Sequence, residues 1–363
     1  MIKYPEGNAI VYCEGAFETP NGKTAHGLVR RTDRYDVLSV VDSTKAGLDA
    51  GLLLDGKAAG IPVHASIKES LDHFSLWGQK PTHLVIGLAP DGGRISKNAK
   101  EDIKEAIKLG LNIDSGLHDF LSEDAEISKL AREKGVEIRD VRKTPPREEL
   151  HFFSGKIEKV KSLVIAILGT DSAIGKRTTA WILKDALEDM SYKAELIGTG
   201  QTAWMQGVRY GIILDSLIND FVSGEIEDAV WQAWQEVSPD IIIIEGQGSL
   251  MNPAYPGGFE ILAAGRPDIV VLQHAPARKE YDGFPGYAIH PLEKQIQAIQ
   301  LLSEKHVVAV TVNHEGLEKE TIPSICEEIT QSTGLPAFDV LLEGANGLAK
   351  LITSHLKKFS KAG

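Results

Sequence analysis

The residues best suited to chemistry lie in one glycine-rich stretch near the middle of the chain, SLVIAILGTDSAIGKRTT (162–179). An apolar run, Leu163–Leu168, is too short for a helix and ends in a glycine-rich turn, which a lysine and a segment of helical propensity (Thr178–Met190) follow. This order of strand, loop and helix is typical of a P-loop, in which backbone N–H groups and a helix N-terminus bind phosphate. The predicted phosphate contacts are Gly169, Thr170, Asp171, Gly175, Lys176, Arg177, Thr178 and Thr179.

The spacing of this loop differs from that of the common P-loop. Five residues rather than four separate Gly169 from Gly175. Arg177 follows Lys176 at the position where a magnesium-binding Ser or Thr is usual, and two threonines come one and two positions later. The pattern therefore predicts an anion site in which Lys176 reaches the outer phosphates, and it leaves nucleotide hydrolysis open.

A second motif follows a run of four isoleucines, Ile241–Ile244, which indicates a strand buried on both faces. An acidic residue at the end of such a strand is typical of the carboxylate that opposes a P-loop and contacts a metal ion or its water. Glu245 is therefore predicted to be a metal contact or a general base. Three further residues from glycine-rich turns are predicted to join the cofactor site: Gly200, Gln201 and Gln247.

Candidate substrate contacts lie in loops that follow other predicted strands, because ligands of parallel sheets bind at the carboxyl ends of the strands. In the loop Ala89–Arg94, Gly92 and Gly93 expose backbone donors and Arg94 is suited to a carboxylate. A simple turn with a solvated arginine fits that loop equally well. Lys23, His118 and Arg278 are the other candidates; Arg278 lies in a proline- and glycine-rich loop that resembles a binding loop or lid.

The elements that must position these residues alternate between strand and helix, which predicts parallel sheets with right-handed crossovers. Predicted strands in the first third are Ala9–Cys13, Val37–Val41, His83–Leu88, Leu111–Asp114 and Val136–Val141, and predicted helices are Ile67–Phe74, Lys97–Leu109 and Glu123–Lys134. Predicted strands of the second part are Leu163–Leu168, Ala194–Ile197, the isoleucine run, Ile269–Gln273 and Val307–Val312, with a long helix over Ile212–Val237.

Two domains are expected for 363 residues, with the proline-containing segment Lys143–Glu149 as the linker. The predicted fold is two three-layer α/β/α domains with mainly parallel sheets. A Rossmann-like N-terminal domain spans residues 1–148, and a P-loop NTPase-like C-terminal domain spans residues 149–363.

Composition excludes several classes of function. The net charge of −12 argues against nucleic acid or an anionic membrane as a partner. Two distant cysteines and histidines without metal-ligand spacing predict no metal site and no disulfide framework. The absence of a signal-like start and of a long apolar run favours a cytoplasmic protein, and a homodimer is expected from the prevalence of symmetric oligomers.

Two resemblances rest on these motifs. The loop GTDSAIGK (169–176) and the strand end IEGQGS (244–249) resemble the dethiobiotin synthetase branch of P-loop proteins, whose loop has the same extra residue. Over nearly the whole chain, the sequence resembles a family with a Rossmann-like N-terminal and a P-loop C-terminal domain that includes D-glutamate N-acetyltransferases. The residues that carry this resemblance are KTAHGLVR (23–30), GLAPDGGR (87–94), SGLHDFL (115–121), GTDSAIGKRTT (169–179), GTGQT (198–202) and EGQGS (245–249).

The family resemblance implies acetyl transfer from acetyl-CoA to the amino group of an acidic amino acid, D-glutamate. Coenzyme A would place its phosphates on the P-loop, and Arg177 favours such a metal-free anion over magnesium-ATP. The two carboxylates of the substrate would need cations, for which Lys23, Arg94 and Arg278 are candidates; Glu245 and Lys176 are the predicted catalytic residues. An ATP- and magnesium-dependent ligase or kinase and a non-catalytic nucleotide sensor remain the alternatives.

Overall fold

The computed structural model describes residues 4–359 of the chain. Contacts divide the described chain into two compact units. Unit 1 contains residues 4–144 together with Gln201–Val208, and unit 2 contains Pro145–Gly200 together with residues 209–359.

The strands and helices alternate along both units. The strands are β1 (Gly7–Tyr12), β2 (Tyr35–Val41), β3 (Val63–His64), β4 (His83–Ile86), β5 (Asn112–Ser115), β6 (Ile138–Asp140), β7 (Leu163–Gly169), β8 (Ala194–Gly198), β9 (Tyr210–Gly211), β10 (Ile241–Glu245), β11 (Ile269–His274), β12 (His306–Val312) and β13 (Ala337–Phe338). The helices are α1 (Lys23–Arg30), α2 (Ala50–Asp55), α3 (Ile67–Ser75), α4 (Lys97–Lys108), α5 (Ala125–Lys134), α6 (Lys176–Asp189), α7 (Gln201–Met205), α8 (Asn219–Val237), α9 (Leu292–Ser303), α10 (Ile322–Thr333), α11 (Val340–Glu343) and α12 (Asn346–Phe359).

The sheet of unit 1 has six parallel strands in the order β3-β2-β1-β4-β5-β6. This is the strand order of a doubly wound Rossmann fold, in which ligands bind where the order reverses, between β1 and β4. Two apolar clusters lie on the sheet, one around Ile103 and Ile113 and the other around Phe17 and Leu28.

The sheet of unit 2 has seven parallel strands in the order β13-β12-β11-β7-β10-β8-β9. The central strand β7 is buried along its whole length and pairs with β10 on one side and β11 on the other. In this register Gln273 lies opposite Gly169, and Glu245 lies opposite Ile167. The two parallel-sheet α/β units confirm the predicted fold class.

One segment of the chain leaves unit 2 and packs into unit 1. The predicted division placed residues 201–208 in the C-terminal domain, but their contacts assign them to unit 1. Met205 is fully buried in a core cluster of that unit, and Gln206 Nε2 donates hydrogen bonds to the carbonyl oxygens of Gly27 (2.8 Å) and Arg31 (3.0 Å). Unit 1 is therefore built from two separate stretches of sequence.

Two predicted elements were wrong. The segment Lys23–Gly27, expected to be a loop, is the first part of α1. The long helix expected over Ile212–Val237 begins only at Asn219, because Tyr210–Gly211 pairs with the end of β8 and Ile212 N donates to Gly198 O at 2.8 Å.

Candidate functional site

The P-loop forms where β7 ends at Gly169 and α6 begins at Lys176. The last loop residue, Gly175, has φ = 95°, a backbone conformation that favours glycine. Four consecutive loop carbonyls each accept a hydrogen bond from a side chain. The bonds run from Lys176 Nζ to Asp171 O (2.7 Å), from Arg278 Nη1 to Ser172 O (2.8 Å), from Arg278 Nη2 to Ala173 O (3.2 Å) and from Asn313 Nδ2 to Ile174 O (3.0 Å).

This arrangement orients the N–H groups of the loop. Because the C=O and N–H of a trans peptide point in opposite directions, the N–H groups of Ala173, Ile174 and Gly175 face away from the side chains that bind the carbonyls. The first N–H groups of α6 have no intrahelical acceptor and add the positive end of the helix dipole. The loop therefore has the donor set of an anion cradle.

Lys176 lies in a narrow space between two glycines. A Cβ at Gly169 would lie 2.8 Å from Lys176 Cδ, and one at Gly246 would lie 3.0 Å from the same atom. Lys176 is 6% exposed, and its Nζ also donates to Gly248 O at 2.8 Å. Burial lowers the pKa of Lys176 to about 8, against the opposing negative charges of Asp171 and Glu245.

Glu245 is buried at the end of β10. Its Oε2 accepts a hydrogen bond from Thr199 N at 2.9 Å, and Thr199 Oγ1 donates to its backbone oxygen at 3.1 Å. Burial raises the pKa of Glu245, although the charge of Arg177 and the bond from Thr199 act in the other direction. A carboxyl group with a raised pKa is suited to accept a proton near neutral pH.

Two hydroxyl groups of the P-loop, those of Thr170 and Thr179, lie within hydrogen-bond distance of side chains of unit 2. Thr179 Oγ1 donates to Gln273 Oε1 at 2.6 Å, and Thr311 Oγ1 donates to the same oxygen at 2.6 Å. Thr170 Oγ1 lies 3.0 Å from Nδ1 of His274, whose pKa burial lowers to about 4, so that this imidazole is neutral at pH 7. Since Arg177 follows Lys176, no hydroxyl stands at the usual magnesium position.

Asp171 joins the P-loop to two neighbouring loops. Its fully buried carboxylate accepts hydrogen bonds from Asn252 Nδ2 (2.7 Å) and Asp282 N (3.0 Å) and pairs with Arg278 Nη1 (3.1 Å). Arg278 Nη2 also pairs with Glu315 Oε2 at 3.1 Å. Arg278, predicted to bind substrate, thus holds the shape of the P-loop here, and its role toward substrate stays a prediction.

The other predicted cofactor residues lie in two units. Gln247 Nε2 donates to Thr199 O at 2.8 Å, and a Cβ at Gly200 would lie 3.0 Å from that same nitrogen. Gln201 belongs to unit 1, where a Cβ at Gly116 would lie 2.6 Å from Gln201 Cγ. The structure thus brings Gln247 and Gly200 together and assigns Gln201 to unit 1.

Unit 1 brings two of the predicted substrate residues into contact. His118 N donates to Gly93 O at 3.0 Å, and a Cβ at Gly93 would lie 2.3 Å from His118 Cδ2. Gly92, Arg94 and His118 are exposed, as is Lys23 at the start of α1. These residues follow β1, β4 and β5, at the edge of the sheet where the strand order reverses.

The Rossmann-like sheet lacks the usual features of a dinucleotide site. The chain after β1 reads CEGAFETPNG, without the spacing G-x-G-x-x-G. Asp42, at the end of β2, is fully buried and accepts hydrogen bonds from Phe17 N (3.0 Å), Thr44 N (3.0 Å) and Thr44 Oγ1 (2.7 Å). That carboxylate holds the loop after β1 and is not placed to bind a ribose.

Four side chains that contact residues of the P-loop were not predicted from the sequence. They are Asn252, Gln273, His274 and Asn313. Three of the four lie at the carboxyl end of β11 or directly after β12. Ligand-site residues of parallel sheets gather at the carboxyl ends of strands, and this rule could have identified them.

Among residues 4–359, no group of three His, Cys, Asp or Glu side chains is placed to hold a metal ion. Within that same range, no helix has the length and apolarity needed to cross a bilayer.

The arrangement defines a two-domain protein with a Rossmann-like sheet and a P-loop, and comparison with known proteins agrees. Residues 43–144 match a Rossmann-like domain of unknown function (DUF1611_N), and residues 151–349 match a P-loop domain of unknown function (DUF1611_C). A crystal structure of a DUF1611 family protein from Anabaena variabilis has a TM-score of 0.87 and 27% identity, over 96% of this chain and 99% of that one. The chain belongs to the DUF1611 family.

Two relatives carry the name of an enzyme. A protein of Pseudoalteromonas sp named D-glutamate N-acetyltransferase is 33% identical over 73% of this chain and 79% of its own length. A protein of the same name from Tritonibacter scottomollicae is 30% identical over 75% of this chain and 81% of its own length.

Proposed function

We propose that the protein transfers an acetyl group from acetyl-CoA to the amino nitrogen of D-glutamate. The observation that carries this proposal is the identity of 33% over 73% of the chain to a relative named for that activity. The geometry of the P-loop supports it, because the loop offers N–H donors and one lysine to an anion without a hydroxyl next to that lysine.

The residues of unit 2 fit the phosphates of coenzyme A. The N–H groups of Ala173–Gly175 and the start of α6 would bind the diphosphate, with Lys176 at its outer end. When bound, acetyl-CoA supplies a thioester carbonyl that the amine attacks, so that a C–N bond forms, the C–S bond breaks and the sulfur leaves as a thiolate.

The reaction requires that the ammonium group of the substrate lose a proton. We assign to Glu245 the role of the base that accepts this proton, because burial raises the pKa of its carboxyl group and Thr199 N donates a hydrogen bond that holds Oε2 in place. For the carboxylates of the substrate, the proposed cations are Lys23, Arg94 and Arg278. We expect the protein to act as a cytoplasmic homodimer.

The test measures thiol release from acetyl-CoA with D-glutamate, with L-glutamate and without acceptor. We expect release that depends on D-glutamate and that falls at least 100-fold in Glu245→Gln and Lys176→Met, with Lys193→Met, outside the site, as the control. Absence of release with any acidic amino acid would refute the proposal.

The alternative is an ATP-dependent ligase or kinase, which the dethiobiotin synthetase-like loop and Glu245 favour. Magnesium-dependent ATP turnover that a small carboxylate or amine stimulates would establish it. Tight nucleotide binding without turnover would point to a sensor.

A further inference from the structure

The P-loop is flanked by two long loops of unit 2. Because β10 and β11 pair with opposite sides of β7, the loops that follow them, residues 246–258 (the β10 loop) and 275–290 (the β11 loop), lie on either side of the P-loop. Both are anchored on Asp171, the β10 loop through Asn252 Nδ2 and the β11 loop through Asp282 N.

The two loops also contact each other. Asn252 Nδ2 donates a further hydrogen bond to Asp282 O at 3.2 Å, and a Cβ at Gly283 would lie 2.6 Å from Tyr255 Cε2. Each loop is ordered by its own turns: Tyr281 N donates to Tyr287 O at 2.9 Å, and Ser249 N donates to Tyr255 O at 3.1 Å. The β10 loop and the β11 loop therefore form one continuous surface, here called the wall, beside Asp171 of the P-loop.

One part of this wall, the tip of the β11 loop together with Tyr255, presents an aromatic surface. Tyr255, Phe284 and Tyr287, here called the aromatic rim, are 42%, 36% and 55% exposed. The rings of Phe284 and Tyr287 pack edge to face with centroids 4.3 Å apart. All six residues of the segment GFPGYA (283–288) are exposed and none is charged, although a quarter of the residues of the whole chain are charged. A clustered aromatic surface beside a ligand site marks a binding surface for an uncharged group.

Lys176 marks which end of a bound phosphate chain faces the rim. The lysine of a P-loop reaches the outer phosphates, and Nζ of Lys176 is held by the carbonyls of Asp171 and Gly248. Gly248 lies in the β10 loop, and Asp171 is the P-loop residue on which both loops are anchored. A nucleoside diphosphate or triphosphate ends at this point, whereas in coenzyme A an uncharged arm with two amide groups continues beyond the outer phosphate.

We propose that the aromatic rim binds the pantetheine arm of the acyl donor, with the rings packing on its aliphatic part. This inference rests on the proposed use of acetyl-CoA, and it assigns to Tyr255, Phe284 and Tyr287 the discrimination between an acyl carrier and a plain nucleotide.

The test compares ADP with dephospho-CoA, which is ADP whose terminal phosphate is esterified by pantetheine and which therefore carries one negative charge fewer. This difference in charge is the same in every variant, so the change in the ratio of the two dissociation constants on removal of the rim, measured by titration calorimetry, reports the arm. We expect the preference for dephospho-CoA over ADP to fall about 10-fold in Phe284→Ala/Tyr287→Ala, a change of about 1.4 kcal/mol, while the affinity for ADP stays unchanged. Trp77→Ala, 74% exposed in unit 1, is the matched control.

The outcomes separate this inference from the proposed function. A ratio that the double variant leaves unchanged, or an equal loss of affinity for ADP, would overturn the role of the rim even if the protein acetylates D-glutamate. A ratio that depends on the rim in a protein without acetylation of D-glutamate would support the rim and refute the proposed substrate.

Discussion

Asp171 is the residue on which the shape of the phosphate site depends most. Its buried carboxylate pairs with Arg278 and accepts hydrogen bonds from both flanking loops, while Arg278 in turn holds the carbonyls of Ser172 and Ala173. Without Asp171, Arg278 would keep only the exposed Glu315 as a charged partner, and removal of one partner of a buried ion pair costs more than the pair itself contributes.

We predict that Asp171→Ala destabilises unit 2 by about 3–5 kcal/mol, because Arg278 and Asn252 lose their common partner. Urea unfolding followed by circular dichroism measures this loss. Asp171→Asn retains an acceptor for Asn252 and should lose less. A loss below about 1 kcal/mol in the alanine variant would show that the carboxylate does not organise the site.

Lys176 makes phosphate binding dependent on pH. Its pKa of about 8 means that the ammonium form, which binds anions, is lost as pH rises through that value. We predict that the affinity for ADP is constant near pH 7 and falls up to about 10-fold per unit above pH 8, with proton uptake on binding.

Titration calorimetry between pH 7 and 9.5, in buffers of different ionisation enthalpy, measures both effects. Lys176→Met should bind ADP weakly and without this pH dependence. Constant wild-type affinity up to pH 9.5 would contradict the lowered pKa.

At the scale of elements, the strand–loop–helix of the P-loop and the isoleucine strand before Glu245 could be predicted from sequence, because local pattern and final environment agree there. The helix α1 could not, since its glycine and threonine favour a loop and its stability comes from packing. The residues behind the P-loop, such as Asn313 and Gln273, have no local signal because their partners are distant in sequence.

Gly93 illustrates a contact between elements that only the structure reveals. Gly92 and Gly93 both have positive φ (68° and 59°), but only Gly93 is packed against the backbone and ring of His118. We predict that Gly92→Ala costs about 1 kcal/mol from backbone strain, whereas Gly93→Ala costs at least about 2 kcal/mol more and displaces His118. Chemical denaturation of the two variants measures the difference in their free energies of unfolding. Equal losses of stability would show that the loop moves enough to accommodate the added methyl group at Gly93.

At the scale of the whole molecule, the chain passes between the two units three times, because Gln201–Val208 belongs to unit 1. The indole of Trp204 is covered by the guanidinium of Arg34 at 3.6 Å, and Arg34 Nε donates to Trp204 O at 2.8 Å. Arg34 also pairs with Glu6. This cation–π contact, between a buried guanidinium and a half-buried indole, attaches the segment to unit 1.

We predict that Trp204→Ala destabilises unit 1 by about 3 kcal/mol, through the lost cation–π contact and the space left behind. Trp77→Ala, which removes an exposed indole from the same unit, should change stability by less than about 0.5 kcal/mol. Urea unfolding followed by far-ultraviolet circular dichroism suits both variants. Equal effects would show that the segment is attached by its backbone alone.

The interleaved chain has a consequence for the protein as it is synthesised. Unit 1 is complete only when Val208 has been made, 64 residues after Thr144. At a translation rate of about 5–20 residues per second, this delay lasts about 3–13 s. During that time the apolar residues that surround Met205 in the complete unit lack this side chain as a partner. We therefore expect the N-terminal part of the nascent chain to remain incompletely folded, and accessible to chaperones, until the P-loop and α6 have also been synthesised.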